Sequence, residues 1–156
     1  MIPQKTISGT QNHILLPVKS PLLCVATVQS VLHVASEVVI QMVQNGKLLY
    51  AFDLRHPNSS MVYLRVSTQS LSDFLNQASS QINLPIEDVL AAILPKGGPT
   101  ISSVAVAHTF SVDADHVHSL RKSGCLKEFR RRHYKCQASQ FCRRSVLDFL
   151  KTRRVL

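Results

Sequence analysis

The sequence contains no tryptophan, and aromatic residues of all kinds make up only 6% of its 156 residues. Broad stacking platforms for single-stranded nucleic acid need more rings, so the composition argues against that binding mode. No apolar run approaches the ~18 residues that a membrane-spanning helix requires. The N-terminus also lacks a basic region followed by an apolar run, so we expect neither a signal peptide nor a membrane partner.

Motifs for metal binding and catalysis are also lacking. The four cysteines Cys24, Cys125, Cys136 and Cys142 form none of the close C-x2-C pairs typical of zinc sites, even with His133 between the last three. The Gly-Lys fragments lack the spacing of a phosphate-binding loop, and no His accompanies a Cys or Ser in a known nucleophile motif. We therefore expect no metal, no other cofactor and no enzyme activity, with reduced thiols in the cytoplasm.

Positive charge is what the chain has in excess. The formal net charge is +9, while the hydrophobic content of 45% is that of an ordinary folded protein. Residues 99–156 carry twelve Lys and Arg against four Asp and Glu, whereas residues 1–98 carry six against five. Cations clustered in this way gain affinity for a polyanion by releasing its counterions, so the last third predicts a binding surface.

Helical spacing appears early in the chain. The triplets Val28–Val31–Leu32 and Val39–Met42–Val43 predict two short helices joined by a tight turn, with Ser36 as an N-cap and Gly46 at the helix end.

A hairpin and a third helix are predicted to follow. Residues 48–53 and 61–66 have strand composition and are separated by turn residues, so we expect a β-hairpin. Thr68 is a candidate cap for the next helix. Pro85 suits the first turn of a further helix that runs to about Leu94, and the Pro and Gly residues of 95–99 then suggest a domain boundary.

The last third repeats the first. When Gly46 is placed on Gly124, apolar positions coincide along both segments. The coincident pairs are Val28 with Val106, Leu32 with Phe110, Val34 with Val112, Val39 with Val117, Met42 with Leu120, and Leu48 with Leu126. The segment Ser70–Leu75 then matches Ser145–Leu150, and the difference in length falls in the hairpin.

This repeated set resembles the excisionase-like winged helix-turn-helix family, which includes phage and transposon excision factors and relatives of mercury-resistance-type regulators. The resemblance covers residues 22–76 and 101–154. It implies a mainly α fold with small β-hairpin wings, in two tandem copies, and binding to duplex DNA. The copies depart from the family pattern where their second helices begin, because Glu37, Asp113 and Asp115 stand where basic or hydroxyl residues are common. Capping of the helix N-terminus is the expected role of these acids, and the alternative is that they accept hydrogen bonds from cytosine N4 in the major groove.

The resemblance places the second helix of each copy in the major groove and the basic wing on the DNA backbone or in the minor groove. In the second copy, Val117 and Leu120 should face inward. The residues expected to contact DNA are Asp115, His116, His118, Ser119, Arg121 and Lys122 of the second helix, Arg130, Arg131, Arg132, His133 and Lys135 of the wing, Arg143 and Arg144 of the closing segment, and Ser36, Gln41, Gln44 and Arg55 of the first copy.

The expected organisation is an N-terminal arm over 1–20, a first copy over 21–78, a helical linker over 79–100 and a basic second copy over 101–156. The implied role is a recombination or excision accessory factor, or a transcriptional regulator, in the nucleoid of a bacterium or phage-infected cell. A homodimer or a recombinase is a possible further partner. Two alternatives stay open: a protein-interaction adaptor with a basic anchor, and an RNA-binding protein.

Overall fold

The computed structural model describes residue 16 and residues 19–76, 84–129 and 139–155. These residues form seven helices and five short strands, and the strands lie in two small antiparallel sheets. The chain is therefore a mixed α/β protein, with more sheet than the mainly α fold that we expected. Of the arm predicted over 1–20, only Leu16, Lys19 and Ser20 lie among the described residues.

The first half of the chain is built of short strands and short helices. Its elements are β1 (Leu22–Cys24), α1 (Val25–Leu32), α2 (Ser36–Gln44), β2 (Ala51–Asp53), β3 (Leu64–Ser67) and α3 (Thr68–Leu75). The three strands form an antiparallel sheet in the order β1-β3-β2. The predicted hairpin is present as β2 and β3, although both strands are shorter than their sequence pattern suggested.

The predicted N-caps Ser36 and Thr68 are each displaced by one residue. Ala35 and Ser67 hold the extended backbone that precedes α2 and α3, and neither side chain caps its helix. The Thr68 hydroxyl instead donates to the carbonyl oxygen of Ser20. A preference for hydroxyl residues therefore placed both helix starts one residue late, within the usual uncertainty of helix ends.

The second half has a closely similar order of elements. They are β4 (Thr100–Ser102), α5 (Ser103–Phe110), α6 (Ala114–Lys122), β5 (Gln140–Cys142) and α7 (Arg143–Thr152), with β4 and β5 paired antiparallel. In both halves the first helix ends at a non-glycine residue with left-handed backbone, His33 at φ 55° and Ser111 at φ 51°. The second helix is followed by a left-handed glycine, Gly46 at φ 70° and Gly124 at φ 78°.

Hydrogen bonds also recur at corresponding positions. The Leu49 amide donates to Ser70 Oγ, and the Lys127 amide donates to Ser145 Oγ, both at 2.8 Å. Each bond ties the chain after the second helix to the first turn of the last helix of its half. The two segments thus share element order, turn backbone and side-chain anchors.

The helices are short. The longest among the described residues, α7, has 10 residues. No single helix in the described part of the chain has the length and apolar character to cross a membrane. Helices α1 and α2 meet those criteria only as a pair, and the pair is bent by 101° at its turn.

The helix predicted between the halves is present as α4 (Ile86–Ile93), and Pro85 precedes it as the N-cap residue instead of lying in its first turn. Its buried residues Val89, Leu90 and Ile93 belong to the larger of two apolar cores. That core also receives side chains from both halves of the chain: Leu22, Tyr50, Phe52 and Leu54 from the first, and Ile101, Val106, Phe110, Val117, Leu120, Leu126, Phe141, Val146, Phe149 and Leu150 from the second. The smaller core lies within the first half, around Val28, Val39 and Leu71.

The residues that follow α7 return to the first half. The Asp53 amide donates to the Arg153 carbonyl at 2.9 Å, and the Val155 amide donates to the Ala51 carbonyl at 2.8 Å. Arg154 and Phe52 consequently form an antiparallel bridge. The far edge of β2 is therefore covered by the end of the second half.

Candidate nucleic-acid interface

Helix α6 begins at a well-formed acidic cap. The Asp113 carboxylate accepts a hydrogen bond of 2.7 Å from the backbone amide of His116. Asp115 lies in the first turn, and Arg121 and Lys122 lie in the last. Acids at the start and cations at the end both complement the helix dipole. The expected capping role is confirmed for Asp113.

One side of α6 packs on the larger core and the other faces solvent. Val117 and Leu120 are buried, as predicted. Asp115, His118 and Lys122 are exposed and share a face of the helix, because they are spaced three and four residues apart. Ser119, beside them, is half-buried and donates its hydroxyl to the Asp115 carbonyl.

His116 was expected on this open face, and that prediction is wrong. Its side chain is buried, and Nε2 donates to the Leu54 carbonyl oxygen at 2.7 Å. Its ring also lies 4.0 Å from the Tyr63 ring, between centroids. The first-half hairpin thus covers this flank of α6, and His116 does not reach the open face.

Arg121 was expected to reach a phosphate and instead has partners within the chain. Nη1 donates to Glu128 Oε1 at 3.2 Å, and Nη2 donates to His118 Nδ1 at 2.8 Å. Both members of the ion pair are partly exposed, and pairs of this kind contribute only about 0–1 kcal/mol. A phosphate could therefore replace Glu128 as the partner at small cost.

Two further cations extend the charged face beyond α6. Lys127 is exposed and sits beside the first turn of α7 through the bond between its amide and Ser145 Oγ. Arg144, in that first turn, is exposed as well, and it lines the same groove as Lys127. An adjoining groove is lined by Arg121, Lys122 and Lys127, together with Glu128, the partner of Arg121. We call Arg121, Lys122, Lys127 and Arg144 the basic surface.

Lys127 was missed in the sequence, because it lies between the repeat motif and the Arg-rich segment. Arg143 was predicted there as a DNA contact and has another role. Its Nη1 and Nε donate to the carbonyl oxygens of Pro95 and Gly98, at 2.6 and 2.7 Å. The guanidinium therefore holds the segment before β4 against α7, and a contact of Arg143 with DNA stays a prediction.

The predicted wing residues Arg130, Arg131, Arg132, His133 and Lys135 lie outside the described residues, and they remain predictions. The backbone on either side of them is described. The Phe129 amide donates to the Gln140 carbonyl at 2.6 Å, and the Cys142 amide donates to the Lys127 carbonyl at 2.9 Å. The chain therefore leaves and re-enters the fold side by side, next to the basic surface.

The first-half candidates are less suited to a polyanion. Gln41 and Gln44 are exposed on α2, and Ser36 is half-buried. This helix contains an acid, Glu37, and no cation, and the apolar side chain of Ile40 is 41% exposed.

Arg55 is engaged by a neighbouring carboxylate. Its Nε and Nη2 both lie 2.5 Å from Asp53 Oδ2. Burial raises the pKa of Asp53, but hydrogen bonds from Arg55 and from the Tyr63 amide outweigh it, so the pKa lies below its ordinary value. Arg55 thus neutralises Asp53 at the base of the hairpin.

Cys125 and Cys142 are half-buried thiols that line one groove, while His133 and Cys136 lie outside the described residues. Within the described ranges, no three His, Cys, Asp or Glu side chains are grouped to hold a metal ion.

Comparison of the chain with protein-family models, curated proteins and solved structures finds no match.

Proposed function

We propose that the chain binds duplex DNA through two tandem winged helix-turn-helix units, with α6 as the helix that enters the major groove. The observation that carries the proposal is the face of α6. Its inner side is packed on the core, while Asp115, His118 and Lys122 are exposed, and Lys122 belongs to the basic surface. A helix supported in this way projects into a groove without losing its own packing.

In this arrangement, the residues that contact phosphates differ from those that face the bases. Lys122, Lys127 and Arg144 contact phosphates and set the position of the helix, while His118 and Ser119 face base edges. The Arg-rich segment 130–135 follows the backbone or enters a narrow minor groove. If it neutralises about five phosphates, the logarithm of affinity falls against the logarithm of salt concentration with a slope of about −4 to −5.

The biological role proposed for this activity is that of an excision or recombination accessory factor, or of a transcriptional regulator, in a bacterial or phage nucleoid. Such a factor acts by holding DNA in place for another protein, so it needs no catalytic residues or cofactor. A recombinase or a second copy of the chain is the proposed protein partner.

An adaptor role is the second candidate, and α2 supports it. Its solvent side combines Val38 and Ile40, which are 40% and 41% exposed, with Glu37 and no cation. Such a surface suits a protein better than a phosphate backbone. RNA is the third candidate, and matched-length probes distinguish it from duplex DNA.

The test is fluorescence anisotropy at several salt concentrations with duplex DNA, single-stranded DNA and RNA of equal length. Duplex DNA is expected to bind most tightly. The Lys122→Ala/Lys127→Ala variant should weaken duplex binding and reduce the steepness of the salt dependence by about 2 units, one for each phosphate contact. Lys19→Ala/Lys47→Ala removes the same charge from exposed first-half positions and is the control.

The outcomes separate the candidates. Equal affinity for all three probes would favour a non-specific polyanion binder. Preference for RNA would favour the RNA-binding alternative. A lack of binding even at low salt would leave the adaptor as the better hypothesis, and equal losses in the two variants would remove α6 and the basic surface from the interface.

A further inference from the structure

The first-half hairpin loop, residues 54–63, lies against the helix proposed to bind DNA. Leu54 accepts the hydrogen bond from His116, and the Tyr63 and His116 rings are 4.0 Å apart between centroids. The His56 ring lies 5.9 Å from that of His116. The loop therefore flanks α6 along the side next to its exposed face.

The composition of the loop suits a nucleic-acid groove. It contains no acid, and the acid that precedes it, Asp53, is paired with Arg55. Asn58 is exposed, and Met61 and Val62 are 68% and 61% exposed. An amide can bond to base edges, and apolar side chains can contact thymine methyl groups or a minor-groove step.

The loop is also held in shape by its own hydrogen bonds. The Ser59 amide donates to the His56 carbonyl at 2.9 Å, and the Met61 amide donates to Ser59 Oγ at 3.2 Å. A loop ordered before binding loses less entropy when it docks, so its exposed side chains contribute more to affinity. The exposed face of α2 is less suited to DNA than this loop, because it carries the acid Glu37 and no cation.

We infer that the hairpin loop of the first half and α6 of the second form one composite DNA-binding surface, in which Asn58 and Met61 contact the duplex beside the base pairs that α6 faces. Helix α2 lies outside this surface. The inference rests on the proposed function, and it assigns the first half a role in DNA contact through its loop.

The test compares two double variants with unchanged formal charge. Asn58→Ala/Met61→Ala removes two exposed loop side chains, and Gln41→Ala/Gln44→Ala removes two exposed side chains from α2. Neither pair is buried, so both variants should fold, which circular dichroism checks. Affinity is measured by anisotropy on duplex DNA, and the contact region is mapped by hydroxyl-radical footprinting.

The loop variant is expected to bind about tenfold more weakly and to lose protection at one end of the footprint. The α2 variant should stay within about twofold of the parent and keep the full footprint. An unchanged loop variant, alongside a weakened Lys122→Ala/Lys127→Ala variant, would overturn the composite surface and leave the proposed function standing. If the parent chain binds no duplex, the proposed function fails first. A loss confined to the α2 variant would overturn the inference and place the first-half contact on that helix.

Discussion

Arg65 is a buried cation whose hydrogen-bond partners in the described part of the chain are carbonyl oxygens and not carboxylates. Nε donates to Phe110 and Nη2 to Ser111, both at 2.9 Å, and Nη1 donates to Leu64 at 3.0 Å. Burial lowers the pKa of Arg65. The carbonyls at the end of α5 offset this cost, because a helix C-terminus carries partial negative charge.

Arg65→Met should reduce the free energy of unfolding by about 2 kcal/mol, because the carbonyls of Phe110 and Ser111 lose their buried donor. The measurement is chemical denaturation. Arg55→Met is the matched control, since it breaks the partly exposed pair with Asp53, and its expected cost is within about 1 kcal/mol. Equal losses in the two variants would contradict the structural role of Arg65.

Asp53 should contribute to the pH dependence of stability. Its folded-state pKa is depressed, so its contribution is fully present above the unfolded-state pKa of about 3.9 and is lost as the pH falls through the folded-state value. Asp53→Asn should therefore lower stability at neutral pH and have progressively less effect below about pH 4. Denaturation curves at several pH values check this. A penalty that stays constant down to the lowest pH would mean that the ionised form of Asp53 brings no extra stability.

At the scale of helices and strands, the sequence predicted those elements whose pattern of apolar and polar residues depends only on the element itself. Apolar residues at helical spacing around Val28, Val39 and Leu120 indicated helices α1, α2 and α6. The glycines Gly46 and Gly124 indicated where α2 and α6 end. The helix starts were displaced by a residue, because hydroxyl side chains adjacent to an N-cap resemble the cap itself. The sequence carries no equivalent signal for which elements of the two halves meet.

The site shows the same division between local and distant causes. Asp113 as a cap, and Val117 as an inward residue, follow from helix geometry alone. His116 was placed wrongly, and the carbonyl partners of Arg143 were not foreseen, because Leu54 and the segment 95–98 are distant in sequence. Helical periodicity in the sequence does not show that a hairpin distant in the chain covers one flank of the helix.

The left-handed turns after α1 and α5 lead to different expectations for glycine, a gain in stability at the first and little net change at the second. His33 is exposed, so His33→Gly relieves backbone strain and should raise stability by about 0.5–1 kcal/mol. Ser111 donates its hydroxyl to the Leu22 carbonyl, so Ser111→Gly gains the same relief but loses a bond worth about 1 kcal/mol. Thermal unfolding compares the two variants. If stability rises as much in Ser111→Gly as in His33→Gly, the hydrogen bond from Ser111 to Leu22 does not contribute to stability.

At the scale of the whole molecule, the shared core joins the two repeats. Phe52 and Leu54 pack in the same cluster as Phe110 and Leu120, and Arg65 binds the end of α5 from the first half. Tandem units with separate cores would open independently, whereas units with a common core are expected to unfold together.

Leu120→Ala tests this coupling from the second half. The substitution should cost about 2–5 kcal/mol, because Leu120 is fully buried. Native-state hydrogen exchange is expected to report the same loss at the protected amides of β3 in the first half as at those of α6. Undiminished protection in β3 would show that the halves are independent.

The strand-like pairing of residues 153–155 with β2 has a consequence for synthesis. The ribosome makes the first half long before these residues, so the outer edge of β2 stays open while the rest of the chain is being produced. An open edge of this kind pairs readily with other strands. In the nascent protein, the edge of β2 therefore stays unpaired until the segment after α7 has emerged and paired with it.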